Sequence, residues 1–554
     1  MDKSEEINLV VNHLIESWGE LTQCLMQHPE MLVNSQLSYW NDFQSLYQDL
    51  SQVQSDSDKR FKHTEWQSNL LLNFIKKSYL LTSMHIETLI NNIVEKENKE
   101  IAKKLRFFAR QYIDAISPTN FANFNPEVLA KIAETNGENL LTGFKQLIED
   151  IQQGNGRLNI KMTDTDLFKL GENIACTPGK IVYQNQLMQL IQYTTTTNKV
   201  YQFPLLIIPP WINKYYILDL QQENSLVKWL VDQGFVVFMI SWVNPTIEHK
   251  DKQFSDYMFE GPLSALNIIK NITGEKQVNI LGYCIGGTLL GCMLAYLSKK
   301  NHSTVLSATF LTTLLDFSEP GELGVFLDEK QINLLENHMK IKGYLDGRIM
   351  AAVFNTLRAN DLIWASFINN YLKGQKPKPF DLLYWNSDAT NIPADVHSFY
   401  LKNMYLHNLL VQKNKIKLAD VSLDLSKIKV PSYFLAAHDD HIVPWATCFK
   451  GSQILNGPTQ FVLTKSGHVA GVINPPHQKK YGYWITNKNN ITAENFIAHA
   501  MFTEGSWWNH WVSWLKQYTG KMKNSNKMET KEVLEDAPGS YVKQTIYTET
   551  NNAL

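Results

Sequence analysis

Cysteine is scarce in this chain, with five in 554 residues, at Cys24, Cys176, Cys284, Cys292 and Cys448, and no Cys-x-x-Cys pair among them. A disulfide framework and a cysteine-built zinc site are thereby excluded, and the sparse odd set suits a reducing cytosol. An excess of either charge is missing too, since 52 Lys and Arg face 54 Asp and Glu for a net of -2. That balance leaves no electrostatic footprint for nucleic acid or an anionic bilayer, and neither is an expected partner. The longest apolar run, near Phe203 to Ile212, falls well short of the roughly 18 residues that cross a bilayer. The opening Met-Asp-Lys-Ser-Glu-Glu is acidic and no uninterrupted apolar segment follows it, so neither a secretory leader nor a transmembrane segment is expected. A cytoplasmic protein, peripheral to a membrane at most, is the expectation.

What the chain has is length and aromatic surface. Its 554 residues are too many for one core. Aromatics make up 11% with 14 Trp, enough to fill a large core or line a greasy channel. From the start to about residue 180 the apolar pattern is helical, first in Ile7, Val10, Val11, Leu14, Ile15, Trp18, Leu21 and Leu25, then over Leu70 to Ile93 and Pro126 to Ile151. Ser117-Pro118-Thr119-Asn120 reads as a break between the last two. A helical N-terminal domain over 1–185 is expected.

After about residue 200 short apolar strands alternate with helices, the pattern of a mostly parallel sheet covered on both faces. The expected strands are Phe203 to Ile208, Val236 to Ile240, Val278 to Leu281, Leu306 to Thr312, Ser432 to Ala436 and Gln460 to Thr464. Helices are expected over Ser225 to Gln233, Met258 to Ile272 and Thr288 to Leu297. The stretch 317–425 is too long for a crossover and reads as an inserted cap, rich in Phe326, Phe354, Trp364, Phe367, Tyr371, Phe380, Tyr384 and Trp385. The catalytic domain would span 186–554. Trp507, Trp508, Trp511 and Trp514 share a helical face and are expected in the core, while the polar stretch from Lys521 is expected to be loosely held.

Gly282-Tyr283-Cys284-Ile285-Gly286 carries the chemistry. It has the Gly-x-Ser-x-Gly spacing of a nucleophile elbow with cysteine in the serine's place, after a strand and before a helix. After the fifth expected strand comes His438-Asp439-Asp440-His441, and after the sixth Ser466-Gly467-His468. The order nucleophile, acid, histidine is that of the α/β-hydrolase fold, which selects Cys284, Asp440 and His468. His468 would take the thiol proton, since a free thiol is mostly protonated at neutral pH. Asp440 would orient the imidazole, or alternatively help deprotonate an acceptor hydroxyl. The Ile285 amide is one expected oxyanion donor. The second should come from Pro209-Pro210-Trp211-Ile212-Asn213-Lys214, with Ile212 favoured over Asn213. Asn213 and His441 are candidate substrate contacts, a structural hydrogen bond being an equal reading for His441. A metal at 438–441 is disfavoured, because four consecutive loop residues cannot all turn toward one ion.

Cysteine in place of serine has a chemical meaning. Attack on a thioester by a thiolate conserves the acyl group's activation, whereas a serine would trap it as an ordinary ester. The preference points to acyl transfer from a coenzyme A thioester.

Four segments together resemble the poly(3-hydroxyalkanoate) synthases: residues 209–220 (PPWINKYYILDL), 282–288 (GYCIGGT), 440–445 (DHIVPW) and 467–476 (GHVAGVINPP). The likeness extends to 380–386 (FDLLYWN) and 117–121 (SPTNF), and covers about 100 to 515. The resemblance implies an α/β-hydrolase core with an inserted cap and a helical N-terminal domain. It implies polymerisation of (R)-3-hydroxyacyl-coenzyme A into polyester with release of coenzyme A, no resident cofactor, and the class I preference for short monomers such as 3-hydroxybutyryl. It also implies homodimers at cytoplasmic polymer granules beside granule-associated proteins, and it assigns the family's cysteine, aspartate and histidine to Cys284, Asp440 and His468. Two rival readings are a cysteine thioesterase or depolymerase on similar substrates, and a granule-coat protein without catalysis.

Overall fold

The computed structural model describes residues 19, 22–48, 58–95, 97, 99–154, 156, 158–486, 488, 491–525 and 532–546. The expected amphipathic face from Ile7 to Leu21 lies outside them. The chain forms two compact units.

The larger unit comprises 165–353 and 380–554. Among the described residues its sheet has eleven strands. In chain order these are β1 Gly179–Gln184, β2 Met188–Tyr193, β3 Leu205–Ile208, β4 Val237–Trp242, β5 Val278–Tyr283, β6 Val305–Leu311, β7 Ser432–Ala437, β8 Thr459–Thr464, β9 Gly482–Ile485, β10 Met501–Glu504 and β11 Glu535–Asp536. Side by side they run β10-β9-β8-β7-β6-β5-β3-β4-β2-β1-β11. Six consecutive members, β8 to β4 in that order, are parallel. They are the six strands expected from the sequence, and all are near-continuous apolar runs because helices cover both faces.

The flanking strands pair antiparallel, β2 on β4, β1 on β2, β9 on β8 and β10 on β9. Two large apolar clusters fill the faces. Trp507, Trp508 and Trp511 are fully buried, whereas Trp514, expected in the core with them, is only partly buried; the helix Trp508–Leu515 carries the last three.

The helical domain does not run to 185, because its last helix ends at Gln153 and β1 already belongs to the sheet. The segment from Lys521 is not loose where described: Met522–Asn524 pairs with Lys199–Tyr201, and β11 closes on β1. Backbone pairing, which polar residues provide as well as apolar ones, holds both pieces.

The smaller unit contains the helices Pro29–Gln48, Leu70–Val94, Lys99–Ala115, Pro126–Thr135 and Glu138–Gln153. The single helix expected over Pro126 to Ile151 is broken at Asn136 and Gly137, both in the left-handed region at φ 49° and 86°. Residues 354–379 also belong here, so the expected cap is not one piece, and Phe354, Trp364, Phe367 and Tyr371 depart from the larger unit. The reason is local. A Cβ on Gly143 would lie 1.9 Å from the Tyr371 carbonyl oxygen, so only glycine admits this approach. Tyr371 Oη then donates to Asp150 Oδ2 at 2.5 Å, and Asn139 Nδ2 to the Leu372 carbonyl at 2.7 Å.

Candidate active site

The elbow at Cys284 is strained by construction. Its φ of 52° and ψ of -123° fall where a residue with a Cβ is rarely found. Close packing compels the turn: a Cβ on Gly282 would meet Gly287 Cα at 2.5 Å, and one on Gly286 the Ile208 carbonyl oxygen at 2.3 Å. One on Gly287 would sit 2.0 Å from Thr313 Oγ1. The Cys284 amide donates to the Leu311 carbonyl at 2.9 Å, and Thr313 Oγ1 donates to the Leu311 carbonyl at 3.0 Å. The elbow is thus clamped to the end of β6, leaving the sulfur partly exposed while its neighbours are buried.

Asp440 and His468 follow the ends of β7 and β8, on the same carboxyl edge of the parallel sheet as Cys284. His468 Nδ1 and Asp440 Oδ2 are 2.7 Å apart. Asp440 Oδ1 accepts from the amides of Ile442 at 2.9 Å and Val443 at 2.8 Å, so both carboxylate oxygens are engaged. The Cys284 sulfur lies close enough to the imidazole of His468 for its charge to act on the ring. The fold therefore brings the three sequence-selected residues together in one chain of contacts.

Burial alone would depress the His468 pKa, but the Asp440 carboxylate and the charge of a Cys284 thiolate outweigh it and raise the value. The charged, imidazolium form of His468 is therefore favoured. Cys292 and Cys448 are the contrast: burial pushes both thiols up to about 12, with no imidazole to compensate. Only protonated, inert sulfur is expected at either.

The His468 loop is held from two sides. Tyr283 stacks on the imidazole with ring centres 5.7 Å apart and its hydroxyl donates to the His468 carbonyl at 3.3 Å. From the C-terminal helix, Trp507 Nε1 donates to the Gly471 carbonyl at 3.0 Å and Trp508 Nε1 to the Val472 carbonyl at 2.9 Å. The tryptophan face thus reaches the site through backbone carbonyls.

Ile285 opens the helix Ile285–Lys299, where the first amides have no intrahelical carbonyl to bond. The Ile212 carbonyl accepts from the Thr390 amide at 3.1 Å. Asn213 Nδ2 contacts the Asn386 carbonyl at 3.4 Å, so this side chain is turned toward the cap. The His441 carbonyl accepts from the Glu322 amide at 3.0 Å. His438 turns to Asp439 at 2.7 Å, away from Asp440.

Sequence reasoning missed Tyr400 and Tyr405. Burial raises both phenol pKa values, and a negative charge on Cys284 raises them further, which places both near the sulfur. Their rings meet edge to face with centres 5.2 Å apart. The helix Ala394–Tyr400 continues into a widened π turn, Leu401–Leu406, that sets the Tyr405 direction. A π turn leaves no mark in hydrophobic periodicity.

These features define a class: an α/β-hydrolase-fold protein with cysteine at the elbow, and residues 204–475 match the family model described as the alpha/beta hydrolase fold. Residues 57–230 match the model described as "Poly-beta-hydroxybutyrate polymerase (PhaC) N-terminus". Among curated relatives, a "Poly(3-hydroxyalkanoate) polymerase subunit PhaC" of Rhizobium etli is 45% identical over 88% of this chain and 76% of its own. That of Rhizobium meliloti is 42% identical over 98% and 90%, and that of Cupriavidus necator 38% identical over 93% and 89%. The chain belongs to the poly(3-hydroxyalkanoate) polymerase family and is an enzyme, an acyltransferase. No helix among the described residues is long and apolar enough to cross a membrane.

Proposed function

We propose that this enzyme polymerises (R)-3-hydroxyacyl groups from coenzyme A thioesters, with 3-hydroxybutyryl as the preferred monomer, through a covalent thioester on Cys284. The observation that carries the reading is a thiol on a strained turn, beside an imidazole that a buried carboxylate fixes. The thiol proton passes to His468 and the thiolate attacks the acyl carbonyl. The carbon–sulfur bond to coenzyme A breaks, and its thiolate leaves with the proton from His468 as free coenzyme A. The amides of Ile285 and Ile212 would hold the oxyanion meanwhile. The 3-hydroxyl of an incoming 3-hydroxyacyl-coenzyme A then gives its proton to His468 and attacks the thioester carbonyl of the chain held on Cys284, forming an oxygen ester and freeing the Cys284 thiolate, which takes the proton back from His468.

His468 is preferred to Asp440 as the base for both halves. Both Asp440 oxygens are already bonded, so its geometry favours orienting the ring over meeting a second proton. No resident cofactor enters these steps, coenzyme A being carried in by the substrate. His441 and Asn213 are proposed to border the entering substrate. Homodimers at the surface of cytoplasmic polymer granules, beside granule-associated proteins, complete the reading.

Incubation with 3-hydroxybutyryl-coenzyme A tests it. Insoluble polyester together with stoichiometric coenzyme A is expected. Free hydroxy acid without polymer would instead identify a thioesterase, and no turnover at all a granule-coat protein.

A further inference from the structure

The loop proposed to offer the Ile212 amide is fastened to the cap through its main chain. Between Trp211 and Lys214, three main-chain carbonyls accept from the cap residues that follow Trp385. Thr390 Oγ1 donates to the Trp211 carbonyl at 2.5 Å, the Thr390 amide to Ile212 at 3.1 Å, and Trp385 Nε1 to Lys214 at 2.7 Å. With the Trp211 and Ile212 carbonyls turned to the cap, the trans peptides point the amides of Ile212 and Asn213 away from it, while Asn213 itself bridges Ala389 of the cap. On the elbow side, the main chain of Ile208 and Pro209 packs against Gly286 so closely that no Cβ fits between them.

The Lys214 side chain is 4% exposed, which is rare for a lysine. Its Nζ is 2.8 Å from Asp388 Oδ1, and Tyr216 Oη donates to the other oxygen of that carboxylate at 2.7 Å. The remaining contact comes from far along the chain: Nζ donates to the Val542 carbonyl at 2.6 Å. Residues 532–546 cross the open edge of the sheet to make it. There β11 pairs with β1, Tyr541 Oη donates to the Asn185 carbonyl at 2.6 Å, and the Tyr541 amide to Gln189 Oε1 at 3.1 Å.

A buried ion pair is a weak source of stability, because desolvating both charges offsets their attraction. It does fix geometry. The proposed chemistry gives Lys214 no proton to move, yet its ammonium joins the loop, the cap and the C-terminal segment.

We infer that Lys214 and Asp388 are positioning residues for the oxyanion loop, and that residues 532–546 form a strap which holds Lys214 through the Val542 carbonyl. The inference rests on the proposed acyl transfer at Cys284, with Ile212 as a donor. It assigns a catalytic consequence to a segment that contributes no reacting atom.

The test separates acyl transfer from thiol reactivity. In the full-length double variant Lys214→Met with Asp388→Asn, which leaves no lone buried charge, single-turnover release of coenzyme A from 3-hydroxybutyryl-coenzyme A should fall about 10- to 100-fold. This is less than the loss of a whole oxyanion donor. Alkylation of Cys284 by iodoacetamide needs the imidazole but no oxyanion hole, and its rate should stay within about twofold. Truncation after Gly539 removes the Val542 carbonyl and should act in the same direction. Added to the double variant, it should cost little more.

Unchanged coenzyme A release in the double variant overturns the inference. So does a parallel fall in alkylation, which would locate the damage in the thiol and imidazole, and so do fully multiplicative losses with the truncation. Failure of the underlying reading looks different. Wild-type enzyme alkylated at Cys284 would still release coenzyme A, whatever residue stands at 214.

Discussion

The two compact units are held together by different means. In the larger, strands and helices bury continuous apolar faces, and positions along β3, β5 and β7 are almost wholly inaccessible. In the smaller, the apolar clusters are short, and Leu37, Trp40, Leu141 and Phe144 are each 60% exposed or more. Polar stitches do more of the joining there: Tyr371 to Asp150, Asn370 Nδ2 to the Lys161 carbonyl at 2.7 Å, and Thr163 Oγ1 to the Lys378 carbonyl at 3.1 Å. The difference teaches where rigidity is needed. A strained elbow persists only if its surroundings over-determine it, and dense packing does this better than single hydrogen bonds.

The comparison can be broken first at the sulfur. Cys284→Ala should abolish polymer formation while leaving the melting temperature near that of the parent, because the side chain is partly exposed and its turn is set by neighbouring glycines. Residual turnover above background would move the chemistry elsewhere. Asp440→Asn comes next, with kcat expected to fall on the order of 10^3-fold as the imidazole loses its orienting charge. It also removes the main contribution that raises the His468 pKa against burial, so Cys284 alkylation near neutral pH should slow. An alkylation rate equal to wild type would count against the dyad.

A third measurement sharpens the contrast through pH. Burial lowers the His397 pKa to about 4 in the cap portion of the larger unit. A histidine that is depressed on folding binds protons more readily when unfolded. Its contribution is therefore complete above the unfolded value near 6.5 and is lost as pH falls toward 4, by about 3 kcal/mol across that window. His397→Gln should flatten the acid limb of stability between pH 6.5 and 4.5, and an unchanged slope would assign the limb to other groups. The smallest effect belongs to the helical unit. Tyr371→Phe should cost about 1 kcal/mol, seen as faster amide exchange in the helix Glu138–Gln153. Exchange equal to wild type would mean that packing, and not this bond, holds residues 354–379.

How much was legible in the sequence followed from how each element is stabilised. The six parallel strands were all found because burial on both faces writes uninterrupted apolar runs. Outer strands such as β1, GKIVYQ, and β9, GYWI, were not found, since backbone pairing at a sheet margin requires no such pattern. The helix Leu70–Val94 matched its expected bounds nearly to the residue, for its apolar stripe is long. The division of the cap between two units was invisible, as it depends on Gly143 meeting Tyr371 across more than two hundred residues. Tyr400, Tyr405 and the Lys214–Asp388 pair were equally hidden, because no local spacing links them to the cysteine.

By itself the sequence determined which cysteine, aspartate and histidine stand at the strand ends, the parallel core and the family, because strand-end motifs and buried runs are local signals. Tertiary structure alone decided which unit owns residues 354–379, what restrains the His468 loop, and how Lys214 is surrounded. Those outcomes depend on contacts between distant segments, whose energies are set by geometry and burial after the chain has closed on itself.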